Sequence, residues 1–241
     1  TDPSFAAAVA ELEPDVIAVV AYKILPPEVF AAASEGAFNL HGSLLPKYRG
    51  AAPINHAVMA GESTTGVTTF FLEPSVDTGD IILQKEMSIG PNETAGEVHD
   101  RMAELGAEAV VETVRQIDAG TVETRPQDDE KATPAPKIHD EDGEIPWDAS
   151  AEAVHNHVRG LSPYPGAWTL HDDTRLKLYR TRRAEGTGAP GTVLDADGRL
   201  LVACGTGAVE VVVLQQPGRQ RLDAADFLNG YALSEGDRLG E

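Results

Sequence analysis

Strand-length apolar runs alternate with segments of helical spacing up to about residue 120, and after residue 146 that alternation stops. No other property of the chain limits its possible folds as much. The run VIAVVA (16–21) is followed by PPEVFAAAS, AFNLHG and APINHAVMAG, then by two β-rich runs, TGVTTFFL and IILQKEMSI. Such alternation predicts an α/β unit with a mostly parallel sheet and its chemistry at the strand ends. A long helix is expected from Glu93 to Gly120, with Val98, Met102, Leu105, Ala109 and Val110 on its packing face and Gly120 as its stop. Residues 121–145 are rich in proline and charge and read as a linker. Beyond it, ASAEAVHNHVRGL predicts a short helix. GAWTLHD, RLKLYRTRR, GTVLDADGRLLVACG and AVEVVVLQQ predict short strands, with DADG as a hairpin turn. Five short strands suit a small barrel of the oligonucleotide-binding (OB) type. The expected organisation is a first domain over 1–120, a linker over 121–145 and a second domain over 146–241.

The densest chemistry lies at 38–53, FNLHGSLLPKYRGAAP. Asn39 and His41 are two apart in a β-like run, so their side chains share one side of the strand end. By themselves they read more simply as a turn-capping Asn and a locally satisfied His. A second loop, VDTGD (76–80), adds the carboxylate of Asp77 between two strand runs. A carboxylate beside an imidazole favours its protonated form, and an amide with an imidazolium can donate to an oxygen that turns negative as a carbonyl is attacked. No Ser or Cys has an activated setting: Cys204 sits in the strand-like LLVACG and Ser43 lacks a nucleophile elbow. The nucleophile is therefore expected to arrive with the substrate, and direct acyl transfer to an amine fits best.

These residues resemble the folate-dependent formyltransferases, over nearly the whole chain. The resemblance implies that Asn39, His41 and Asp77 are the catalytic triad. It implies that Ser43, Leu44, Leu45 and Pro46 lie against the folate, and that Tyr22, Lys23, Ile24 and Leu25 frame its pterin pocket. RGAAP (49–53) and WDASAEAVHNHVRGLSPYPGAWT, which resembles the entry to an OB-like C-terminal domain, favour the branch that acts on charged tRNA. The implied reaction moves a formyl group from 10-formyltetrahydrofolate to the amino group of methionine on initiator tRNA, without a metal. The implied architecture is a partial Rossmann-like formyltransferase domain followed by an OB-type barrel. The family's opening βα units do not precede VIAVVA here, so the catalytic domain is expected without its N-terminal part and VIAVVA as an exposed sheet edge. The alternatives are a sugar-nucleotide N-formyltransferase, a formyltetrahydrofolate hydrolase and a non-catalytic RNA-binding remnant.

Charge bears on the RNA expectation, because the formal net charge is −20. Residues before Pro146 carry 9 Lys and Arg against 26 Asp and Glu, whereas the rest carry 10 against 13. The acid therefore lies mainly in the first part, where it keeps a surface hydrated, as in salt-tolerant proteins. Lys177, Arg180, Arg182 and Arg183 cluster in the second part as candidate tRNA phosphate contacts; the same residues also read as solvated charges on a strand face. One Cys excludes an internal disulfide framework, and no segment reaches the roughly 20 apolar residues of a membrane span, so a cytoplasmic enzyme is expected, by default a monomer. His41, Asp77, His56 and His99 lack the close spacing of a zinc site.

Overall fold

The computed structural model describes residues 3–21 and 25–240. The chain packs into two units. One gathers Thr1–Ile54, Thr64–Ser88 and His99–Lys137, and the other Asn55–Ser63, Ile89–Val98 and Ile138–Glu241. The elements begin with α1 (Pro3–Ala10), β1 (Ile17–Val20), α2 (Pro27–Phe30), β2 (Ala37–His41) and α3 (Pro53–Met59). They continue with β3 (Thr64–Phe71), β4 (Ile81–Ser88), α4 (Ala95–Asp118) and α5 (Ala151–Gly160). The last are β5 (Ala167–His171), β6 (Thr174–Ala184), β7 (Val193–Asp195), β8 (Leu200–Ala203), β9 (Ala208–Gln215), β10 (Leu222–Asp223) and α6 (Ala224–Leu228).

The first unit is built on a sheet in the order β1-β2-β3-β4. Only β1 and β2 run parallel; β2–β3 and β3–β4 are antiparallel, so the sheet is not mostly parallel as expected. For β3 and β4 the reason is length, because residues 72–80 form too short a connection for the crossover that parallel strands need. Strand β1 is the edge, with Ala18 and Val20 exposed. Along β2 the pleat sends Phe38 to a fully buried cluster with Ile82 and Ile117, worth roughly 1.5–3 kcal/mol for such a side chain. Leu40 packs on the same side, where Gly106 leaves room for it. Helix α4 ends as expected, with Gly120 just beyond it at φ +63°. Residues 121–137 are laid against this unit by backbone pairing of Arg125 with Ile81 and of Ala135 with Arg49.

The second unit curls a sheet in the order β5-β6-β9-β8-β7, with β10 on β9. Its core joins Val154, Val158 and Leu161 to Leu176, Leu178, Val209, Val211 and Leu214. DADG turns the β7–β8 hairpin as predicted, with Gly198 at φ +75°. Ser150 caps α5 by accepting from the Ala153 N–H. Three polar residues of that helix, His155, Asn156 and Arg159, are held by hydrogen bonds. Arg159, 4% exposed, donates to the carbonyls of Glu93 (3.0 Å) and Gly90 (3.4 Å) and to Asn156 Oδ1 (2.8 Å). His155 Nε2 donates to the Pro91 carbonyl at 3.0 Å, which leaves Nδ1 to accept from the Thr181 hydroxyl at 2.9 Å.

A neutral His155 satisfies both of those bonds. Burial lowers its pKa, Arg159 and Arg183 nearby lower it further, and the Pro91 carbonyl and Glu152 oppose them; burial also lowers that of His157. With the folded value depressed, stability is fully present above the ordinary histidine range near pH 6.5 and is lost as pH falls through the folded value, because the unfolded chain binds the proton first. Thermal melts should therefore show Tm falling from pH 7 to pH 5, and falling less for His155→Gln. An equal fall in both proteins would place the acid sensitivity elsewhere.

Candidate active site

Alternation along β2 sets Asn39 and His41 on the face opposite Phe38 and Leu40. The strand stops at His41, and residues 42–50 turn back so that the Tyr48 carbonyl lies 2.8 Å from His41 Nε2. A carbonyl only accepts, so Nε2 carries the hydrogen. The other ring nitrogen, Nδ1, faces Asp77 Oδ2 at 3.7 Å, with both side chains largely shielded from solvent.

Backbone that most residues avoid aims this pair. Tyr48 has φ +61° and Asp77 φ +55°, left-handed conformations that cost on the order of 1–3 kcal/mol each and persist only where surrounding contacts over-determine them. Those contacts are present at Asp77. Its Oδ2 accepts from the Gly50 N–H at 2.9 Å, and Gln127 Nε2 donates to its carbonyl and to that of Gly79, both at 2.9 Å. Gln127 is held in turn by Arg49, whose Nε and Nη2 donate to Gln127 Oε1 at 3.0 and 2.7 Å. Gly50 has φ +130°, and a Cβ there would sit 2.5 Å from the Ala135 carbonyl oxygen. A side chain at residue 50 would therefore push apart the loop and the segment that carries Gln127.

The SLLP loop is tied to the sheet through Thr68 and Gln84. The Thr68 hydroxyl donates to the Ser43 carbonyl (2.7 Å) and accepts from the Leu45 N–H (3.1 Å), while Gln84 Nε2 reaches the Leu45 carbonyl at 2.9 Å. Ser43 is fully buried and its Oγ donates to the Lys47 carbonyl at 2.6 Å, so its hydroxyl is used inside the turn. Leu45 is buried with Phe70 and Ile81. Of the four, Leu44 and Pro46 keep exposed surface. In the segment expected to frame a pterin pocket, Leu25 is half-buried, and Tyr22, Lys23 and Ile24 lie outside the described residues.

Three of the four expected phosphate contacts already have partners within the second unit. Arg180 is ion-paired with Glu97, Arg183 Nη1 lies 3.6 Å from Glu152 Oε1, and Lys177 Nζ donates to the Pro165 carbonyl at 2.8 Å. Arg182 is exposed, opposite Glu210 in the β6–β9 ladder. Burial pushes the Cys204 thiol up to about 11, so this cysteine is no nucleophile near neutral pH. Among the described residues no group of His, Cys, Asp and Glu could hold a metal ion, and no helix is long and apolar enough to cross a membrane.

Sequence reasoning missed Tyr48, Gly50 and Gln127 as parts of this site. Gly50 carried a signal, a glycine in a punctuated loop next to the candidate triad. Gln127 carried none.

The geometry thus brings His41 and Asp77 together at the end of β2. The family model for formyl transferase matches residues 1–114, and that for the formyl transferase C-terminal domain matches 137–232. The chain belongs to the formyl transferase family. A methionyl-tRNA formyltransferase of Chlorobium phaeovibrioides is 49% identical over 245 residues, covering 99% of this chain and 76% of that protein. One of Chlorobium chlorochromatii is 48% identical, covering 99% and 77%. Among solved structures, HypX from Aquifex aeolicus in complex with tetrahydrofolic acid is similar with a TM-score of 0.72 and 23% identity, covering 94% of this chain and 41% of that one. That likeness supports the α/β formyltransferase fold with a β-rich C-terminal part.

Proposed function

We propose that this protein transfers the formyl group of 10-formyltetrahydrofolate to the amino group of methionine esterified to initiator tRNA. The observation that carries the reading is the His41–Asp77 pair, in which Nε2 is held by Tyr48 and Nδ1 is left facing a carboxylate. The methionyl amine attacks the formyl carbon, the bond from that carbon to N10 of the folate breaks, and the amine's proton passes to N10. The Asn39 amide and His41 Nδ1–H donate to the formyl oxygen as it turns negative. Because Nε2 already carries a hydrogen, Nδ1 donates only when the ring holds a second proton, and the carboxylate of Asp77 faces that position. Asp77 also relays the amine's proton, directly or through a water. Leu44 and Pro46 supply apolar surface to the folate, Ser43 and Leu45 support them, and Tyr22 to Leu25 border the pterin.

The second unit is proposed to be the RNA-binding part, its curled sheet of OB type, with Lys177, Arg180, Arg182 and Arg183 toward tRNA. On this reading residues 1–120 are catalytic and 121–145 connect them to 146–241. The setting is cytoplasmic translation initiation. Turnover measured with methionyl-tRNA, with an amino-sugar nucleotide and with water as formyl acceptors tests the reading, and transfer to the sugar or to water alone overturns it. Changing Arg182 and Arg183 to Ala should raise KM for tRNA, leave KM for the folate unchanged, and flatten the log-log salt dependence of tRNA binding by about one unit per lost phosphate contact. An unaltered slope would show both arginines facing solvent.

A further inference from the structure

Among the described residues Tyr164 is the most exposed large hydrophobic side chain, at 82%, and it stands in the turn LSPYPG between α5 and β5. An aromatic ring so placed contributes nothing to the core. Its surroundings are ordered and cationic. The carbonyl of the residue before it, Pro163, accepts from Arg221 Nη2 at 3.2 Å, and the carbonyl of the residue after it, Pro165, accepts from Lys177 Nζ at 2.8 Å. The Arg221 guanidinium carbon lies over the Tyr179 ring, 3.6 Å from its centroid, and the Tyr179 hydroxyl donates to Gln215 Oε1 at 2.7 Å. Both cations are therefore fixed in place and still have N–H groups to give, since a guanidinium has five and an ammonium three. Gly166 permits this arrangement. Its φ is +87°, and a Cβ there would meet Tyr179 at 3.1 Å and Lys177 at 3.3 Å, the two side chains that flank the turn.

An exposed ring with two fixed cations at its base matches the chemistry of an unpaired nucleotide: a flat base to stack and a phosphate to neutralise. We propose that Tyr164 stacks a base of an unpaired nucleotide in the RNA substrate while Arg221 and Lys177 hold its phosphate. This deepens the tRNA reading above and rests on it for the identity of the RNA. The contact is sequence-tolerant, because every base has a face to stack. It also explains how a chain of net charge −20 engages a polyanion, by a few cations held in place rather than by a basic surface.

The test is fluorescence anisotropy with a fluorescein-labelled eight-residue oligoadenylate and with tRNA, using the full chain. Tyr164→Ala should weaken oligoadenylate binding about tenfold, within the range measured for single stacking contacts, and Tyr164→Phe should restore it. Arg221→Gln should flatten the log-log salt slope by about one unit, and Tyr164→Ala should leave that slope unchanged. The melting temperatures of the two Tyr164 variants should match the parent's, because the ring is exposed. Equal affinity of the parent and Tyr164→Ala for both RNAs overturns the proposal, as does a parent that binds neither; a ring used instead for a protein partner would give the first result. Failure of methionyl-tRNA formylation with the Tyr164 effect on RNA binding intact would overturn the proposed acceptor alone. Normal formylation with an unchanged KM for tRNA in Tyr164→Ala would overturn the stacking site alone.

Discussion

Asp77→Asn is expected to lower turnover by about a hundredfold to a thousandfold, the usual cost of removing one stabilising group at an oxyanion site. The substitution keeps the side chain's size, and its remaining oxygen can still accept from the Gly50 N–H. The charge that faces His41 Nδ1 is lost, because the oxygen that stays on the Gly50 N–H is the same atom that faces the ring and now belongs to a neutral amide. Since Nε2–H is committed to the Tyr48 carbonyl, a neutral ring has nothing to donate to the formyl oxygen. Folate affinity should be nearly unchanged, because Leu44 and Pro46, the surface proposed for the folate, are untouched. Steady-state kinetics with charged tRNA and direct titration of the folate separate the two effects. Near-normal turnover for Asp77→Asn would remove the mechanistic case.

Gln127→Ala is expected to cost on the order of tenfold to a hundredfold in kcat, since a misplacement of about 1 Å at a reacting centre can cost as much. Gln127 is proposed to act through position. Its two N–H bonds hold the carbonyls of Asp77 and Gly79, and with them a left-handed turn that the backbone does not favour on its own. Gln127→Glu makes the sharper comparison. A carboxylate would keep, and even strengthen, the contact with Arg49, yet it cannot donate to the two carbonyls. Both variants should lose kcat with little change in either KM. Full turnover in Gln127→Glu would show that packing at residue 127, not donation, is what counts.

The sequence made Asn39 and His41 legible because a two-residue spacing in a strand is a local property. Asp77 was visible only as a carboxylate in a turn between two strand runs, since no local pattern links a turn at 77 to a strand end at 41. Gln127 was hidden in a proline-rich and charged stretch whose composition signals a linker, although its partners lie 48 and 50 residues upstream. The same blindness to distant partners affected the basic cluster. Counting charges along β6 shows Arg180 and Arg183, but not Glu97 and Glu152, which ion-pair with them. Element types were read well from periodicity, and strand direction was not, because alternating strand and helix runs carry no arrow until the connections are measured.

The clasp between α5 and residues 89–98 bears on how this protein can be cut. The guanidinium of Arg159 is sealed from water, and its carbonyl acceptors, at Gly90 and Glu93, come from a segment that enters the unit some forty residues before Ile138. A fragment starting at Ile138 would thus carry a cation shaped for a socket it no longer owns, and His155 would lose the Pro91 carbonyl in the same stroke. The C-terminal part is therefore not a detachable module in the sense that its sequence order suggests. Its ancestral exchange between proteins, or its expression alone in the laboratory, would have to bring along a piece of the neighbouring gene segment or replace the buried arginine.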